Sequence, residues 1–123
     1  MPCENPHVGD IGTIIYVPTF AGPDPLHETL ETFTTRTVRL QPPGLAPPIV
    51  ITDVTIAVDP LDQIKKLQLI TGTNTALALT GGGGFALLNA DVGEWLADIT
   101  LAHATGQWTT DPFPVFTLQR NLP

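Results

Sequence analysis

The residues of this chain that could carry chemistry are few, and their spacing suits little of it. Four glycines stand in a row at 81–84. A phosphate-cradling loop would need a Lys and a Ser or Thr after them, at the start of a helix. Phe85, Ala86 and Leu87 follow instead, so the run reads as a loop, or as backbone passing close to a neighbour. His7, His27 and His103 are scattered, without the H-x-x-x-H or C-x-x-C spacing that sets up tetrahedral metal coordination. Asp59 and Asp62 flank a turn but lack the oxygen ligands and the Gly of a calcium loop. Glu94 and Asp98 fall on one strand face, roughly 13 Å apart along extended chain. That is too far for a catalytic carboxylate pair unless another strand supplies a partner. The chain has no serine, and its single Cys3 cannot close an internal disulfide. No enzyme, metal or cofactor is expected.

Aromatic residues are the remaining candidates. Trp95 lies on the apolar side of an alternating run and is expected in the core. Trp108 follows a hairpin and is expected to be more exposed. With Phe113, it is a candidate contact for a protein partner or a glycan, since interfaces concentrate aromatic anchors.

Positioning these residues falls to strands. The 123 residues include 42% hydrophobic side chains, 11 glycines and 13 prolines, enough apolar material for one domain with a core. Ile11 to Phe20 opens with GTIIYV, β-branched and aromatic, and Pro18 demotes it to an edge or bulged strand. Residues 32–40 (TFTTRTVRL) follow as a strand, then the proline-locked turn QPPGLAPP. Residues 49–58 (IVITDVTIAV) read as one strand with Val50, Thr52, Val54, Ile56 and Val58 on its core face. Residues 64–71 (IKKLQLIT) read as a strand carrying Leu67 and Leu69, preferred over a helix at 61–70 that Leu61, Ile64 and Leu67 at three-residue spacing would also allow. Residues 93–102 alternate with Trp95, Ala97, Ile99 and Leu101 inward, and the HATG turn leads into a last strand region through Leu118. Seven or eight short strands punctuated by turns predict an all-β fold, an antiparallel immunoglobulin-like sandwich. Its expected limits are an extended N-terminal arm at residues 1–10, a sandwich at 11–118 and a tail at 119–123.

Three stretches carry a resemblance. They are GDIGT (Gly9 to Thr13), RTVRLQPPG (Arg36 to Gly44) and GEWLADITLAHATGQWTTDPFPVFTL (Gly93 to Leu118). Together they resemble the Ig-like N-terminal domain of tailed-phage upper-baseplate proteins and the small phage virion proteins similar to it. The PPGLAPP turn departs from the more polar turn of that family. The family's helical or fibrous extension does not follow Leu118, so a docking module alone is expected. The resemblance implies a virion structural role among other phage proteins, in many symmetric copies, after synthesis in the host cytoplasm. It implies no catalytic residues.

Contacts are expected at the arm, through Pro2, Asn5, Pro6, His7 and Val8, and at Trp108 and Phe113. The alternatives are a capsid decoration (cement) protein and a carbohydrate-binding module using Trp108. A net charge of −7, with five Lys and Arg, argues against nucleic acid, whose binding needs clustered cations, and against an anionic membrane surface. Charged residues make up only 14% of the chain, which suggests a surface meant to be covered by neighbours.

Overall fold

The longest strand, β8 (Gly93–His103), buries every second side chain: Trp95, Ala97, Ile99 and Leu101. That strict period of two fixes its register, because a slip of one residue would turn all four to solvent. The structure is a computed structural model, and it describes residues 6–17, 33–61, 63, 65–88, 91–104 and 106–120. Among these residues the chain is all-β, with ten strands in two sheets and no α-helix.

In the larger sheet β8 pairs along one edge with β2 (Thr35–Gln41) and along the other with β9 (Gly106–Thr109) and β10 (Phe113–Leu118). The sheet continues from β2 to β3 (Ile49–Thr52) and β6 (Ala78–Thr80). In the smaller sheet β5 (Lys65–Gly72) is central. It pairs with β1 (Ile14–Val17), β4 (Thr55–Val58) and β7 (Gly83–Ala86). The inward faces meet in one apolar core. Phe85 of the smaller sheet lies 6.0 Å, centroid to centroid, from Trp95 of the larger one, and Trp95 stacks on Phe116 at 5.1 Å. The outward face of the larger sheet is rich in threonine. Thr37 aligns with Thr100 and Thr100 with Thr109, and the hydroxyls of Thr100 and Thr109 share a hydrogen bond of 3.2 Å. Such pairs suit an exposed pleated surface.

Three strand expectations change. The expected single strand over 49–58 is two strands in different sheets. At Asp53, with φ of 49°, the chain leaves the larger sheet for the smaller. Ile49 and Ile51 are buried in β3 while Val50 and Thr52 are half-exposed, so the expected core face is reversed there. Val54 is buried, and Val58 is exposed. The guanidinium of Arg36 pins this crossover by donating to the carbonyls of Val54 (2.9 Å) and Phe33 (2.8 Å).

The four-glycine run takes both of its expected forms, a turn at Gly81 and Gly82 and backbone passing close to a neighbour at Gly83 and Gly84. Gly83 and Gly84 open β7, held to β5 by backbone alone. The last strand region is β9 and β10. Finally, the sheets are not purely antiparallel, because β6 runs parallel to β3 and β7 parallel to β5. The edge position expected for the first strand is the one β1 takes; Pro18 lies outside the described residues.

Candidate functional site

Residues expected to form an arm are fastened to the domain from Pro6 onward. Pro6 is buried, and its carbonyl accepts a hydrogen bond from Gln119 N–H (2.9 Å). Val8 N–H donates to the Gln119 carbonyl (3.0 Å), and Gly9 N–H to the Leu87 carbonyl (2.9 Å). His7 is exposed, and its backbone N–H is held by the Asp10 carboxylate at 2.8 Å. Backbone hydrogen bonds therefore join the expected arm to the expected tail at Gln119 and to the sandwich at Leu87. Pro2 and Asn5 lie outside the described residues.

Trp108 is more exposed than the fully buried Trp95, as expected, but only half-exposed. It sits opposite Leu101 and packs against the core, edge-on to Phe33 (5.5 Å) and His103 (5.0 Å). Phe113 lies opposite Ala97 and is also half-buried against the core. Two of the expected contact regions thus sit at opposite ends of β8. Pro6 to Val8 meet Gln119, next to the Leu118–Gly93 pair, whereas Trp108 flanks the other end of the strand.

The charged residues mostly serve the fold. Asp98 pairs with Arg39 at 2.7 Å, while Glu94 is exposed. Asp59, almost fully buried, accepts from Lys66 Nζ (2.9 Å) and from Leu61 N–H (2.9 Å), so it holds the turn between β4 and β5. Among the described residues, no group of three or more His, Cys, Asp and Glu side chains is placed to hold a metal. His27 and Asp62 lie outside them.

Two concavities are lined by described residues. One, of about 340 Å³, is lined by Val50, Thr52, Asn74, Ala78, Leu79, Thr80 and Gly83, none of which titrates. The other, of about 170 Å³, lies where three parts of the chain converge: the Pro42–Ile49 turn, residues 74–77, and Ala86, Leu88 and Asp91. Its lining is mostly apolar, including Pro42, Pro47, Leu77 and Leu88, and Asp91 supplies its one carboxyl group. Burial pushes that carboxyl above the ordinary carboxylate range, while a hydrogen bond with the Leu88 backbone pulls the other way. The Asp91 carbonyl also accepts from the Trp95 indole at 2.8 Å, which ties this rim to the core. Sequence reasoning passed over this groove, since its lining comes from three separate stretches with no common spacing.

In comparisons with protein-family models, curated proteins and solved structures, nothing matches this chain.

Proposed function

We propose that the chain is a structural module of a bacteriophage virion, an Ig-like sandwich that docks larger components in the tail or baseplate, the neck or the head fibres. The reading rests on the resemblance carried by Gly9 to Thr13, Arg36 to Gly44 and Gly93 to Leu118. The observation that carries it is the surface. Large apolar side chains stand exposed on a chain of few charges, among them Leu45, fully exposed, and Ile11 at 69%. Only 14% of its residues are charged, against roughly 25% in an average soluble domain, and exposed apolar groups of this kind suit burial against neighbours. Ion pairs such as Arg39–Asp98 and Lys66–Asp59 hold strands and turns of the fold.

The glycan-binding alternative relied on an exposed Trp108, and that indole is half-buried against Phe33 and His103. The test is immunogold labelling and quantitative mass spectrometry of purified particles of the phage that encodes the chain. A few copies at the tail or neck fit the adaptor. Dense, even labelling of the head assigns it to capsid decoration instead. Absence from particles overturns the virion reading.

A further inference from the structure

The groove beside Asp91 combines three properties. It is apolar, with Leu77 (47%) and Leu88 (51%) exposed along it. It holds about 170 Å³, well below the roughly 300–1,000 Å³ of pockets that enclose a small-molecule ligand, and of a size to seat anchoring side chains. Its single carboxyl group is half-buried, which disfavours its charged form, and it forms no ion pair with any described residue.

Building on the adaptor reading, we propose that this groove seats a segment of a partner protein presenting an apolar side chain next to a lysine or arginine. The apolar side chain fills the space between Leu77, Leu88 and the proline turn, as an interface anchor does. The neighbouring cation meets Asp91 and offsets the burial of its charge. A net charge of −7 draws a basic segment toward the chain and repels an acidic one. A second copy of the chain is poorly matched. It brings the same −7, and three of its five cations are engaged within the fold, Arg39 and Lys66 by Asp98 and Asp59 and Arg36 by two carbonyls. The exposed Arg120 is the cation a second copy would have to offer, and the self-association arm of the test covers it.

The test is selection of a surface-displayed library of random peptides on the full chain, followed by titration of the enriched peptides. Enriched peptides are expected to share an apolar residue within a few positions of a Lys or Arg. Asp91→Asn, close to isosteric, is expected to weaken their binding about tenfold without lowering the melting transition. Leu88→Gln is expected to weaken it at least as much, and the conservative Leu88→Met to restore it. Enriched peptides that lack a cation, affinity unchanged in Asp91→Asn, no enrichment at all, or self-association blocked by Leu88→Gln would each overturn the proposal. The particle experiment is independent of this one. A chain present in particles that selects no peptide loses the groove alone. A chain absent from particles that selects basic–apolar peptides keeps the groove and loses the virion reading.

Discussion

Gly72 and Gly84 pack backbone to backbone: a Cβ placed on Gly72 would lie 2.6 Å from the carbonyl oxygen of Gly84. This contact is what lets β7 run beside β5, where the register shifts between Ile70 and Thr71. The Gly84 carbonyl is also occupied, accepting from Asn74 N–H at 3.1 Å. Neither partner is a flexible side-chain end, so an added methyl group has nothing to push aside except main chain. Gly72→Ala is therefore expected to destabilise the fold by about 1–3 kcal/mol, the usual cost of overpacking a closed site. Urea denaturation checks this against Leu45→Ala, at a fully exposed position, which should stay within about 0.5 kcal/mol of the parent. Equal midpoints for the two variants would mean that β7 is not held in this way.

Gly106 makes room for a side chain instead. A Cβ there would meet the far edge of the Trp108 indole at 2.7 Å, and a side-chain end can swing away. Gly106→Ala is expected to turn Trp108 outward, shifting tryptophan emission to longer wavelength. The loss of stability should be about 1 kcal/mol, the scale of its aromatic contacts with Phe33 and His103. Trp95, fully buried, supplies a constant background that Trp95→Phe would remove in a control. Unchanged emission would show that the hairpin backbone yields and the indole keeps its place.

The N-terminal stretch divides at Pro6. Removing residues 2–5 leaves the Pro6–Gln119 and Val8–Gln119 hydrogen bonds intact, so it should lower the melting transition less than removing residues 2–8 does. Removing residues 2–8 breaks both, takes away the buried Pro6, and should lower the transition measurably. Particle incorporation therefore tests the arm only through the shorter deletion. Loss of incorporation with full stability assigns contacts to Pro2 and Asn5; full incorporation removes both from the interface.

Strand pattern was legible where burial is one-sided and silent where it is not. The run around Trp95 alternates large apolar with small or polar residues, and its inward face followed directly. The IVITDVTIAV run carries β-branched residues at both parities, so period two had no contrast to report. Its sheet-switching bend at Asp53 looked like one more polar residue in a strand. Gly83 and Gly84 have no side chains to alternate, so their strand exists only as a backbone pairing with β5. The groove was hidden for another reason. Pro42, Leu77 and Leu88 come from three connections, and only the folding of two sheets brings them beside Asp91.

Asp91 carries a pH signature with a definite sign. Its carboxyl is raised above the ordinary value of 3.8, chiefly by burial. Between the ordinary and the raised value, the folded chain holds this proton more tightly than the unfolded chain does. Stability from this group therefore falls as pH rises through that interval. Asp91→Asn has no such proton. At neutral pH it should be at least as stable as the parent, and the difference should vanish once the pH drops below the ordinary carboxylate value. Thermal melts across the acidic range check this; a variant that loses stability at neutral pH would mean the carboxylate is needed by the fold. If the melts follow the expected sign while basic–apolar peptides bind the variant less well, Asp91 costs stability and contributes binding. That opposition is common where a group is kept for function against the interest of the fold, and a residue serving only the core would not show it.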